Sequence, residues 1–475
     1  MAACLGVLFS CTGDRPAPPA VSSTTPASTA AAAPGPGFTL VGHDPLLGRG
    51  MNAGLALYGR YAYIGSRTDS SGARAHAGIL VVDVADPAHP RVVGEIGTPA
   101  QGRPGETSRE LRVWPERDLL IVMNIPCDER HACAGRSPAA TLRFYDVSGA
   151  RARAPALVAT YVPSVTPHEM FLWQDPARPG RALVYLSTDV SDTRLAGLVV
   201  VDVSRARAGS FRELARWRGG DELRGEGINP QTVRLHSMGV SADGNRTYVA
   251  HLAGGFLVLD SSDLARAAEA PALRALTPVG RSLRWTPGPH SAIEVPGASL
   301  VLTTDEVYGG GRACPWGWAR LIDVSDPSRP RLLSELRAKR NLPQACAVAP
   351  RDGRYSASAH NPTIAGGVAF VSWHAEGLIA APVTGSGGFG RQAVFTPDPL
   401  AWVATEDPRL TAGSVKVAMW STPIVSEGLI YVVDIRNGLY VVRYGGPGAG
   451  AVDLTGFAEG NSNRRSSRAA DAEMS

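Results

Sequence analysis

The sequence predicts an all-β fold, a seven-bladed β-propeller with four-stranded blades whose last blade is closed by an N-terminal strand. Three observations predict it. The composition, 44% hydrophobic with 53 glycines and 37 prolines in 475 residues, supplies both a core and many turns, which favours numerous short strands over long helices. The stretch ILVVDVADPAHPRVV, residues 79–93, returns as RLIDVSDPSRPRLL, residues 320–333, repeating an apolar run, an Asp, a Pro-containing turn and a second apolar run. Around these two copies the same order of events recurs seven times: a strand, a tight turn, a strongly β-prone strand, a loop of variable length, a third strand ending near an Asp, and often a fourth.

The chain begins MAACLGVLFSCTGD. Residues 1–11 are similar to a bacterial lipoprotein signal, in which Cys11 is lipidated; an ordinary cleaved secretory signal is the competing reading, and both expect export. Residues 12–37 form a Pro/Ala/Ser/Thr tract that buries too little apolar surface to fold, expected as a disordered tether. The propeller is expected over 38–444, and residues 445–475, ending NSNRRSSRAADAEMS, are expected as a disordered tail. No later run is long and apolar enough for a membrane helix, so membrane contact is expected only through the N-terminal anchor.

Within the propeller the second strands read AYIGSR, LLIVMN, LVYLST, TYVAHL, LVLTTD, AFVSWH and IYVVDI, rich in β-branched and aromatic residues. Third strands follow as ILVVDV, LRFYDV, LVVVDV, FLVLDS, ARLIDV, LIAAPV and LYVVRY. The turns SADGNR, VPGAS, IAGGV and SEGL place Gly or Asn where a hairpin needs positive backbone angles. In the quoted repeat, DPAHP turns the chain towards the outer strand RVVGEI, and Pro is tolerated there because a turn needs no amide donor. The seventh copy lacks an outer strand after LYVVRY; FTLVGHD, residues 38–44, supplies it and removes a free sheet edge. A six- or eight-bladed ring with one copy misread is the competing count. Both quoted copies resemble the LVIVD repeat, a propeller module of bacterial and archaeal exported proteins. The resemblance implies the fold and an exported location, and leaves activity open.

Charge excludes one class of partner. The formal net charge is +4 and nearly all cations are Arg, with Lys339 and Lys416 the only lysines. The Arg-rich stretch 205–227 has acidic residues interspersed and no stacking motif, so no nucleic-acid partner is expected.

In a propeller the first strand of each blade lines the central channel. Aligning the copies on their second strands puts one residue of each blade at that strand's entrance: Ala53, Arg109, His168, His236, His290, His360 and Trp420. Four consecutive blades thus offer His at one register, out of ten histidines in the chain. Converging imidazoles are what copper, zinc or iron needs, so a transition metal is the expected cofactor. His374 and His251, at the ends of their second strands, lie on the same face one register apart, so only one of them is expected to point inward. Glu169, beside His168, is the candidate oxygen ligand, outer partner or catalytic base. Asp305, Glu306 and Asn361 are too few oxygens for the calcium site of a propeller hydrolase or lactonase.

A His-lined channel is similar in arrangement to the selenium-binding protein and methanethiol oxidase family, propellers associated with copper. The resemblance implies metal ligation by His168, His236, His290 and His360 and nothing more, because that family's cysteine-rich segment has no counterpart here. Four cysteines outside the signal fit disulfides in an exported protein. Cys127 with Cys133 would close a small loop, and Cys314 with Cys346 would join two long loops beside the histidines; a zinc site from Cys127, His131 and Cys133 is the competing reading of the first pair. Long loops on this face bring Tyr308, Trp316, Trp318 and Trp402, which with Arg109, Trp373 and Trp420 are candidates to wall a ligand pocket, against the alternative of packing between blades. The expected function is binding of a small molecule, another exported protein or a metal at this mouth. A metal-dependent, copper-type oxidoreductase is the alternative, and a hydrolase or lactonase the second.

Overall fold

Seven antiparallel sheets follow one another along the chain in the computed structural model, and in six of them the four strands pair in the order they are met. The structure describes residues 37–67, 75–97, 106–126, 140–188, 197–219 and 235–468. One strand per blade lines the channel: Asn52–Tyr58, Glu106–Trp114, Pro167–Gln174, Leu235–Val240, Ser291–Glu294, Ala359–Ala365 and Ile424–Ser426. These open blades one to seven in order.

The core lies between blades rather than within one. Leu142 and Phe144 of blade two pack on Val184, Leu186 and Val199 of blade three, and equivalent clusters join each neighbouring pair. The last, Leu55 and Ile64 of blade one against Val433 and Val441 of blade seven, returns to the start and closes the ring. Because both faces of a blade are covered, the middle strands are continuous apolar runs; all five residues of Ile79–Asp83 are buried.

The Asp that ends the third strand has one repeated task. Asp83, Asp146, Asp202, Asp260 and Asp323 each accept a hydrogen bond from the backbone N–H two residues on, at 2.9 to 3.1 Å. Each is an Asx turn that starts the descent to the outer strand. The conspicuous repeat is therefore scaffolding.

As expected, Phe38–Asp44 completes blade seven, pairing with Gly438–Tyr444 from Phe38 opposite Tyr444 to Asp44 opposite Leu439. The stretch after it departs from expectation. Residues 445–468, read as the start of a disordered tail, instead form a short helix Ala449–Asp453 and two strands, Thr455–Glu459 and Arg465–Ser467. Thr455–Glu459 pairs with Ile424–Ser426, the channel-lining strand, and so lies inside the ring. The segment that follows reaches the other blades at the far ends of their inner strands. Asn461 C=O accepts from Leu172 N–H at 3.1 Å and from Arg112 Nε at 3.2 Å; the Asn463 amide donates to Gln174 C=O and Ala242 C=O; Arg464 donates to Leu57 C=O and Arg465 to Glu294 C=O. Gly460 passes so close to blade six that a Cβ there would sit 1.8 Å from the Pro362 carbonyl oxygen. Composition misread this segment because Asn, Ser and Arg, common in disordered tails, are also what satisfies strand-end carbonyls in a wet channel. No helix among the described residues is long and apolar enough to cross a membrane.

Candidate metal centre

The ring register predicted from the repeats converges at one end of the channel, opposite the C-terminal segment. Neighbouring rings step round it: His168 to His236 at 4.4 Å between centroids, His236 to His290 at 3.9 Å, His290 to His360 at 4.6 Å, and His360 to Trp420 at 4.0 Å. Local backbone explains the convergence. Five inner strands carry a register shift at this position, between Asn52 and Leu55, Ser108 and Glu110, Pro167 and Met170, Leu235 and Ser237, and Ala359 and Pro362. A bulge re-aims the side chain it carries, here into the mouth.

Glu306 is the centre of the cluster. Its carboxylate oxygens lie 3.5 Å from His290 Nε2, 3.3 Å from His360 Nε2 and 3.3 Å from His374 Nε2. The opposite ring nitrogens are held from outside: His360 Nδ1 lies 2.7 Å from the Trp420 carbonyl oxygen, which makes it the N–H donor, and His290 Nδ1 lies 2.7 Å from Ser291 Oγ. Those contacts turn the Nε2 lone pairs inward. Each of the three Nε2 atoms is buried with no hydrogen-bond partner. Tyr308 donates to Glu306 Oε1 at 2.7 Å, and His374 stacks on Trp420 with the planes 4° apart. Further round, His168 Nε2 and His236 Nε2 are 2.9 Å apart. Ligand atoms of His168, Glu169 and His236 lie within 4.8 Å of one another, as do those of His236, His290 and Glu306, and those of Glu306, His360 and His374.

Burial governs the protonation of the cluster. It holds His236 and His290 well below the ordinary imidazole value, helped by the adjacent imidazoles, and takes His360 to about 3. On Glu306 burial pushes upward, but His360, His290 and His374 outweigh it and hold the carboxyl well below its ordinary range. These shifts thus favour the neutral form of His236, His290 and His360 and the charged form of Glu306.

Other predicted residues go elsewhere. His251, fully buried, faces away into its own loop, where Nδ1 accepts from Gly254 N–H at 3.2 Å; His374 is the member of that pair that points inward. Trp373 is packed between blades five and six, its Nε1 donating to Ala357 C=O, and Trp316 packs on Tyr355, Ala357 and Ala375. Trp402 is 70% exposed and Trp318 lies against Arg320 and Arg337. Of the aromatic set only Trp420 and Tyr308 touch the cluster. Glu169 is buried one step deeper, on a cavity of 20 Å³, room for about one water, with Arg112, Ser237, Ser291, Asn361, Thr422 and Asn461. Burial, then Glu110, raises its carboxyl well above the ordinary range, which favours the acid form over the expected base. The Asp305 carboxylate is engaged by Arg320 and Trp285, and Asn361 Oδ1 accepts from Ser291 Oγ while its amide donates to Trp420 C=O, so these oxygens are already in use. Cys314 and Cys346 form a disulfide that ties the Glu306 loop to the connection between blades five and six. Cys11, Cys127, His131 and Cys133 lie outside the described residues.

Glu306 was read only as a calcium-type oxygen, and its place among the imidazoles was missed. It stands two residues past the strand Leu300–Thr304, next to a more conspicuous Asp. The signal was there: on the adjacent blade His374 directly follows the strand Val368–Trp373, so second-strand ends on neighbouring blades bring Glu306 and His374 to the cluster.

The LVIVD repeat family matches residues 49–98 and 236–271, which hold blade one and most of blade four. No curated protein matches the chain. Among solved structures, it is similar to Sqt1 of Chaetomium thermophilum bound to the N-terminus of the ribosomal protein L10, at 12% identity over 86% of this chain and 90% of that one, with a TM-score of 0.45. The Cps50 (Swd1) β-propeller domain of Myceliophteria thermophila is similar at 10% identity over 83% and 96%, with a TM-score of 0.46.

Proposed function

We propose that this LVIVD-repeat β-propeller binds a divalent transition-metal ion at its channel mouth, through Glu306 and the Nε2 atoms of His290, His360 and His374. The observation that carries the reading is the convergence of three buried, unpartnered Nε2 atoms on one buried carboxylate. Left as they are, such groups cost stability; as ligands they are satisfied. The 3.3 Å from Glu306 Oε1 to both His360 Nε2 and His374 Nε2 is close to the roughly 3.4 Å between neighbours in a tetrahedral shell of ~2.1 Å bonds, and His290 Nε2 faces the other carboxylate oxygen. Three imidazoles and a carboxylate suit zinc, iron or copper.

A metal-dependent oxidoreductase is the second reading. Its support is specific: an oxidisable Tyr308 bonded to Glu306 and an oxidisable Trp420 stacked on His374. We further place the protein in the cell envelope, from the lipoprotein-like leader and the Cys314–Cys346 bridge. If Cys11 is the anchor, Cys11→Ser moves the protein from the membrane fraction to the soluble one.

Elemental analysis of the purified full chain, after growth with zinc, copper and iron in turn, tests the metal. The expected result is a stoichiometric ion that is lost in Glu306→Gln and in His360→Ala while the fold is kept. A folded wild-type chain that neither retains nor takes up any of the three overturns the proposal. An absorption or paramagnetic resonance spectrum then separates redox-active copper or iron from silent zinc.

A further inference from the structure

Six arginines are buried among the described residues, and five have partners. Arg49 donates to backbone carbonyls and Asn52; Arg67 pairs with Asp407 at 3.3 Å; Arg112 with Glu110 at 2.8 Å; Arg320 with Asp305; Arg436 with Glu406 at 3.0 Å. Arg109 is the exception. It is 7% exposed, its Nε is buried without a hydrogen-bond partner, and no ion pair reaches it among the described residues. It occupies the ring register on blade two where the following four blades carry His, and its guanidinium sits 5.5 Å from the centroid of the Trp420 ring. That ring lies 4.0 Å from the His360 ring and stacks on His374, which puts the guanidinium beside the cluster.

An arginine withdrawn from water with no counter-charge is strongly unfavourable, and proteins keep such a group where a ligand supplies the charge. Its planar fork matches a carboxylate with two parallel hydrogen bonds. The local balance agrees. Arg67 is answered by Asp407, which leaves Arg109 as the buried cation beside the cluster that has no ion pair among the described residues. We infer that the mouth takes a small carboxylate-bearing molecule, with Arg109 gripping its carboxylate beside the His/Glu cluster. A single unanswered guanidinium fits one negative charge, which favours a carboxylate over a phosphate dianion. The inference rests on the proposed site being the binding mouth, and not on which ion is held there.

Calorimetric titration of the full chain with acetate, neutral acetamide and inorganic phosphate, on metal-stripped and metal-loaded protein, tests it. Expected are acetate binding, acetamide binding at least about tenfold weaker, and a loss of about tenfold or more in acetate affinity for Arg109→Gln in both metal states. Bound metal per chain is expected to be unchanged in that variant, so failure of the carboxylate inference and failure of the metal reading give different results. Arg109→Lys, which keeps charge without the fork, is expected to recover part of the affinity and serves if the Gln variant does not fold. Equal affinity for acetate and acetamide, unchanged acetate binding in Arg109→Gln, or preference for phosphate overturns it.

Discussion

His251 and His374 close the second strands of blades four and six, yet one register of difference sends one imidazole to Gly254 and the other to Glu306. The difference is measurable. Burial lowers His251 to about 3, so between pH 6.5 and that value the unfolded chain binds a proton which the folded chain refuses, and stability falls as pH drops. In urea titrations of metal-free protein, His251→Gln is expected to shallow this loss between pH 6.5 and 4.5 by up to about 1.4 kcal/mol per pH unit; equal slopes would show that His251 titrates normally. It is expected to leave metal binding unchanged. Glu306→Gln should do the opposite, keeping the fold and weakening metal affinity beyond the roughly 10–100-fold typical of outer-shell changes, as read by competition with a chelator. The four ring histidines were legible because the repeat supplies a ruler that counts to the entrance of the inner strand on each blade. Glu306 was not, because residues past a strand end have no fixed register, and tryptophans near a loop look the same in sequence whether they line a pocket or pack, as Trp373 does.

At the level of elements, the roof over the cluster depends on a staple. The Cys314–Cys346 bridge, across 32 residues, joins the loop that carries Glu306 to the helix Pro343–Ala347. In the chain-entropy view a loop of that length contributes about 3–4 kcal/mol. Replacing both cysteines by serine should lower the unfolding free energy by about that amount and speed metal release, measured by denaturant unfolding and by transfer to a chelator; unchanged release would show the loop is held without the bond. The strands themselves were almost wholly readable, because β-branched runs and Asx turns are local signals. Pairing of Thr455–Glu459 was not, since TGFAE is too short to show alternation and its partner strand lies about thirty residues back. Gly460 is its weak point. With Pro362 C=O 1.8 Å from where a Cβ would stand, Gly460→Ala is expected to drive the segment out of the channel, seen as faster amide exchange at Leu172 and Asn463.

Across the whole molecule, the first and last described stretches do complementary work. Phe38–Asp44 closes the ring from outside, and residues 455–465 touch all seven blades from inside. Deleting residues 455–475 should lower stability, because Arg112 loses Asn461 and the blade-seven edge is uncovered, while leaving the metal stoichiometry intact; loss of metal would mean that the segment shapes the far mouth as well. Closure by the N-terminal strand was predictable from the missing outer strand, whereas nothing in the repeat calls for an eighth participant in the lumen. The consequence for traffic is simple. With its floor laid by its own C-terminal segment, the propeller is a flask and not a tube: a ligand that enters by the neck would have to leave by it.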